Sequence, residues 1–177
     1  MIDDKYKAIA EFSASGVEGI RRTGIRILEM RERYAKVLMP LEGNVNHVGM
    51  MYAGSLFTIG EISGGLIHGA SFDCSRFFPI VTEVTIRFRR PAFTDVTLEV
   101  SLTRGEAEKI QKEAEEKGKA NFTMDLEIKD ASKETVALVH GIWQIRKIPE
   151  GMPSPFSTGC SCNAWNTPVK KTGRLIR

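Results

Sequence analysis

Residues 44–65, NVNHVGMMYAGSLFTIGEISGG, concentrate the chemistry of this chain. A polar loop carrying Asn46 and His47 runs into a helical stretch of small and apolar residues. That stretch carries one acidic side chain, Glu61, about two turns in. A carboxylate is costly on so apolar a helix unless a polar site receives it. The first N–H groups of a helix have no partner within the helix, and they form a natural seat for a developing oxyanion. One carboxylate, one anion-binding helix end and one polar loop together define a candidate active site.

The remaining reactive side chains do not assemble into a second one. His68 lies seven residues after Glu61, on a similar helix face, and reads as a core or interface histidine. His140, between Val139 and Trp143 in an apolar stretch, reads as structural. The three cysteines, Cys74, Cys160 and Cys162, are too few for a disulfide framework. Cys160-x-Cys162 alone is a weak metal signal, and Cys74 has no base at a readable spacing.

Several elements must hold the site in place. Ile9, Phe12, Val17 and Ile20 predict one or two short helices over 3–22, interrupted near Ser13–Gly16. Ile25, Ile27, Val37 and Met39 recur at spacing two, which predicts a β-hairpin over 25–40 turning near Glu32–Arg33. The helix is expected over 52–69. Each of its interior glycines costs about 0.5–1 kcal/mol relative to alanine, which points to a helix gripped closely by surrounding backbone. Its apolar residues cover most of its circumference, as in a buried helix. Residues 80–90 alternate, with Thr82, Val84, Ile86 and Phe88 on one face and Glu83, Thr85, Arg87 and Arg89 on the other. Further strands fit 96–103, 119–129 and 134–147. Residues 105–118 hold Glu108/Lys112 and Glu113/Lys117 at i,i+4, as in a short solvated helix or a charged excursion. The order is α+β, with one helix lying on one antiparallel sheet. After Pro149 the pattern gives way to a Pro-, Gly- and Ser-rich tail.

Composition sets the outer bounds. The 177 residues, 42% hydrophobic and 27% charged, suit one soluble globular domain. A net charge of +3 is too slight to argue for nucleic acid, and no apolar stretch approaches a membrane span. The N-terminus is unlike a secretory signal, so a cytoplasmic, reducing setting is expected.

With the loop and helix placed, the chain resembles the hotdog-fold thioesterases of the phenylacetate-pathway and 4-hydroxybenzoyl-CoA type. Their pattern is a loop Asn, His-Gly-Gly at a helix start, and Asp or Glu nine residues after that His. Here Asn46, Tyr52-Ala53-Gly54 and Glu61 fall in that register, and Arg89–Ala92 matches the family's strand ending in Pro-Ala. The resemblance covers roughly residues 25–147. It implies a hotdog fold, a curled antiparallel sheet wrapped round one long central helix. The division that follows is an N-terminal helical segment 1–24, the hotdog domain 25–148 and an irregular tail 149–177.

The resemblance also implies roles. Glu61 activates water or attacks the thioester carbonyl, the Gly54 N–H holds the oxyanion, and Asn46 orients water or carbonyl. His47 stands as a second acid/base group or a plain loop residue. Tyr52 and Ala53, in place of the family's His and Gly, alter the polarity of the pocket. Thr82 is a weak match to a Ser or Thr that helps hold water. Arg87, Arg89 and Arg90 are candidates for CoA phosphates, or a solvated strand face. Met50, Met51, Phe57 and Phe77–Phe78 are candidates for an acyl tunnel, or core. The implied substrate is an acyl-CoA or an acyl-carrier protein, with no cofactor and no metal, in a homodimer or homotetramer whose site lies between subunits. Two alternatives stay open. One is a non-catalytic acyl-CoA-binding hotdog protein, favoured by Tyr52. The other is a hydroxyacyl-thioester dehydratase using His47 and Glu61.

Overall fold

A computed structural model of the chain describes residues 1–154. A single 3-10 turn, Asp4–Tyr6, leads into α1 (Lys7–Ser15) and α2 (Glu18–Arg21). The predicted hairpin follows as β1 (Arg26–Arg31) and β2 (Tyr34–Met39), turning at Arg33 in the left-handed region with φ 57°. After the loop comes α3 (Ala53–Ser71), then β3 (Phe77–Phe88), β4 (Val96–Ser101), α4 (Arg104–Lys117), β5 (Lys119–Asp130) and β6 (Thr135–Lys147).

The six strands form one antiparallel sheet in the order β1-β2-β4-β5-β6-β3. Its inner face follows from the side-chain period of two. In β5, Ala120, Phe122, Met124, Leu126 and Ile128 are buried while the residues between them face out. That face closes on α3, whose Leu56, Ile59, Ile62, Leu66 and Ile67 lie in one core with residues from β2, β4, β5 and β6. This is the hotdog arrangement: a sheet curled round one long helix.

Gly60 and Gly64 of α3 are gripped closely, but by side chains rather than backbone. A Cβ at Gly64 would lie 2.0 Å from the Trp143 indole, and one at Gly60 would meet Val139 at 2.9 Å. The helix runs to Ser71, two residues beyond the expected Gly69, because Phe72 N–H still donates to the His68 carbonyl at 2.9 Å. The N-terminal helices share the core. Tyr6 and Ala10 are buried in it, and the Tyr6 hydroxyl donates to the Ala70 carbonyl at 3.3 Å.

The charged stretch forms a true helix. Thr103 and Glu106 cap α4 reciprocally, and Gly118 ends it in the left-handed region. Lys117 pairs with Glu113 at 2.9 Å, but Glu108 pairs with Arg104 at 2.7 Å rather than with Lys112.

β3 lies at the sheet edge, paired only with β6. Its register shifts between Val81 and Glu83, so Thr82 occupies a bulge. Beyond it Val84 and Ile86 are half-buried while Glu83, Thr85 and Arg87 are exposed, but Phe88, expected on the same face as Val84 and Ile86, is exposed. Most of the tail, Cys160 and Cys162 included, lies outside the described residues.

Candidate active site

Asn44, a residue that motif reading passed over, builds the entrance to α3. It is 6% exposed, and its amide nitrogen donates to the carbonyls of Thr23 at 2.7 Å and Pro40 at 2.9 Å. Its side-chain oxygen accepts from Ser55 Oγ at 2.8 Å, and its own carbonyl accepts from Tyr52 N–H at 2.7 Å. A buried asparagine satisfied on both sides locks loop to helix. The legible signal was the Asn44-to-Ser55 interval, two small polar residues bracketing the loop.

Asn46 organises the next turn. Its side-chain oxygen accepts from Val48 N–H at 3.0 Å and Met50 N–H at 3.2 Å. That leaves its amide hydrogens as the donors facing a depression of about 300 Å³, which it lines with Met50, Ala53, Arg89 and Arg90. His47 is exposed on the same loop.

Tyr52 precedes α3 without a side-chain cap. Ser55 and Leu56 N–H both donate to the Tyr52 carbonyl, at 3.0 and 3.1 Å, and the N–H groups of Ala53 and Gly54 have no partner among the described residues. The Tyr52 ring lies across Gly54, where a Cβ would come within 2.3 Å of Cε1, so glycine is what permits this packing. Gly54 and Tyr52 border a second depression with Asn44, Ser55 and Thr58.

Glu61 opens into a third. Its carboxylate has no hydrogen bond or ion pair among the described residues, and burial holds its pKa above the usual carboxylate range. Its backbone carbonyl accepts from Trp143 Nε1 at 3.1 Å, which ties this turn of α3 to β6. The groove around the carboxylate holds about 170 Å³ between Phe12, Ile20, Gly65, Val81 and Trp143.

A single chain therefore does not bring Asn46, Gly54 and Glu61 into one pocket. Gly54 and Glu61 share a helix face but lie about 10 Å apart along the axis. They belong to a narrow strip. From Ala53 to Ala70 every residue of α3 is buried except Ala53, Gly54, Phe57, Thr58, Glu61 and Gly65, which recur at helical spacing.

The other expected residues are dispersed. Thr82 Oγ1 donates to the Ile142 carbonyl at 2.8 Å, within the sheet. Arg90 pairs with Glu134 at 2.6 Å, Arg89 borders the Asn46 depression, and Arg87 is exposed on β3. The acyl-tunnel set does not hold together: Met51 and Phe77 are core, while Phe57 is 42% exposed on the strip. The apolar wall around Glu61 comes instead from Phe12, Val17 and Ile20 of the N-terminal segment, with Gly65, Val81 and Trp143. Periodicity reports which face of a helix is apolar, not which distant helix that face meets.

His68 is fully buried, and burial drives its pKa down to about 3; its ring packs near Phe72 at 5.7 Å. Burial, with Asp73 adjoining, pushes the Cys74 thiol up to about 11, far from a reactive thiolate. His140 pairs with Asp125 at 2.8 Å on the exposed face of the sheet.

Comparison with known proteins agrees with this architecture. The chain belongs to the family described as "Domain of unknown function (DUF4442)", a hotdog-like domain whose model matches residues 12–145. It is 37% identical to the Pseudomonas aeruginosa protein PA5026, described as a protein of unknown function and probable thioesterase. That match covers 84% of this chain and 99% of the other, with a TM-score of 0.77. The fold extends to the Haemophilus influenzae thioesterase HI1161, at 14% identity, 81% and 91% coverage and a TM-score of 0.61. It extends also to the Escherichia coli PaaI protein of the phenylacetic acid degradation operon, at 21% identity, 80% and 94% coverage and a TM-score of 0.52. A comparison with curated proteins finds no match. No helix among the described residues is long and apolar enough to cross a membrane.

Proposed function

We propose that this protein hydrolyses an acyl thioester, of CoA or of an acyl-carrier protein, in a cytoplasmic setting. The observation that carries the reading is Glu61: a half-buried carboxylate without a counter-ion, facing an apolar groove, on a helix whose first N–H groups are free. The likeness to PA5026, itself described as a probable thioesterase, supports it.

Two chains complete the site. If two α3 helices pack antiparallel across a two-fold axis, Gly54 of one faces Glu61 of the other. The axis then passes beside Phe57 and Thr58, midway along the strip, where the exposed aromatic ring gains cover. The edge strand β3, with Ile80, Val81 and Phe88 exposed, gains a pairing partner in the same assembly. The product is a homodimer, able to pair further into a tetramer.

In that site the Gly54 N–H polarises the thioester carbonyl, and the Asn46 amide donates to the carbonyl or to water. Glu61 removes a proton from water as it attacks, or attacks the carbonyl itself to give an anhydride that water then opens. The C–S bond breaks, the thiolate takes up a proton, and acid and thiol are released. Tyr52 and Ala53 line the entrance and Thr82 lies on the adjoining strand. Arg87 and Arg89, with Arg90 once released from Glu134, offer cations for the phosphates. His47 stands on the same loop as Asn46, so the assay also separates hydrolysis from a His–Glu dehydration across the two chains.

The test is thiol release from a panel of acyl-CoAs by the wild type and Glu61→Gln. Removing a general base is expected to cost about 10²–10⁴-fold in rate with the dimer intact. Tight binding of acyl-CoA without thiol release would make the protein a binding module. Water loss from a 3-hydroxyacyl-CoA would make it a dehydratase.

A further inference from the structure

The groove beside Glu61 is walled by α1 and α2, a segment to which the hydrolytic reading assigns nothing. Phe12, Val17 and Ile20 line it from the N-terminal segment, Val81 and Trp143 from the sheet, and Glu61 is its one charged lining residue. Val17, at the break between α1 and α2, is apolar yet 53% exposed.

Gly65 forms its floor. It lies one turn beyond Glu61 on the same strip, and a Cβ built there meets nothing within 4 Å. Its neighbour Gly64 is the opposite case, packed directly under Trp143. Within one chain, packing therefore explains Gly64 and not Gly65. A glycine inside a helix costs stability, and the return at Gly65 is empty, apolar space next to the carboxylate. The groove's volume, about 170 Å³, is close to that of an apolar cavity that holds one benzene ring, about 150 Å³.

We infer that this groove receives the acyl group, and that Gly65, Val17 and Ile20 set its length, admitting a short aliphatic chain or a single aromatic ring. The inference rests on the thioesterase reading for the position of the thioester but not for the groove's affinity. An acyl chain in the groove places its carbonyl end at Glu61 and its apolar end against α1 and α2. The N-terminal segment is thus a specificity element rather than an appendage.

The test compares acetyl-, hexanoyl-, benzoyl- and dodecanoyl-CoA as substrates of the full chain. Binding of S-hexyl-CoA, a thioether that cannot be hydrolysed, is measured in parallel by calorimetry. Hexanoyl- and benzoyl-CoA are expected to exceed dodecanoyl-CoA in kcat/KM by about tenfold or more, a difference that a few misfitting methylenes readily produce. Gly65→Leu fills the floor and should lower hexanoyl relative to acetyl turnover by at least about tenfold, weakening S-hexyl-CoA to match. Val17→Trp, on the exposed rim, should act in the same direction and serves if Gly65→Leu fails to fold. Ile20→Ala should move the preference towards longer chains. Turnover whose chain-length profile ignores all three substitutions overturns the groove while leaving the hydrolase reading standing. Absence of turnover, with S-hexyl-CoA still bound and weakened by Gly65→Leu, overturns the hydrolase and keeps the groove.

Discussion

Glu61, the proposed base, is the residue at which the hydrolase reading sets activity against stability. Burial raises its carboxyl pKa, so the folded protein holds the proton more tightly than the unfolded chain does. The favourable contribution of the protonated group is complete below the unfolded value, about 4.3, and is lost as pH rises through the folded value. At neutral pH the ionised carboxylate therefore weakens the fold. Glu61→Gln should melt at a higher temperature than the wild type at pH 7, with the gap closing towards pH 4, while its turnover is lost. Thermal unfolding at the two pH values checks this. A lower melting temperature at pH 7 would mean that the carboxylate is held by a partner. The same raised pKa places the acid limb of the kcat/KM profile above the ordinary carboxylate range, since the reaction needs the ionised form.

At the scale of the element, α3 carries two neighbouring glycines with opposite reasons. Gly64→Ala drives a methyl group into the Trp143 indole and should destabilise by about 1–3 kcal/mol, the usual cost of overpacking. Gly65→Ala meets open space and should be neutral or stabilise by up to about 1 kcal/mol. Chemical denaturation of the two variants, side by side, decides the point. If both destabilise equally, the groove floor is not the open space it is drawn to be. Packing of the kind seen at Gly64 explains why a helix so rich in glycine stays unbroken for 19 residues: tertiary packing, not propensity, holds it.

At the scale of the whole molecule, the exposed strip of α3 and the free edge of β3 belong to one surface problem. A buried central helix with a half-open stripe, and an edge strand bearing exposed apolar residues, are both answered in the proposed dimer. Phe57→Lys puts two like charges close to the expected two-fold axis, so one substitution acts twice. It should convert a dimer to a monomer in sedimentation equilibrium, with the circular dichroism of the fold retained and thiol release lost. A monomer with full activity would show that one chain holds the complete site.

The linear chain determined the parts of this protein that depend on local periodicity. The strands at 119–129 and 134–147, the hairpin at Glu32–Arg33, the buried character of α3 and the isolation of Glu61 on it all follow from local pattern. The motif phase of Asn46, Gly54 and Glu61 led from there to the hotdog fold that the structure and the DUF4442 match show. Other features were decided only in three dimensions. Asn44 matters through carbonyls of Thr23 and Pro40 that a turn and a strand end bring to it. Thr82 is committed to Ile142 by a bulge that no local pattern announces. One wall of the Glu61 groove comes from the N-terminal segment, far back along the chain, and the other from β3 and β6. The physical reason is common to all three: side-chain spacing encodes which face of an element is apolar, whereas the partner that face meets is chosen by the packing of the whole chain.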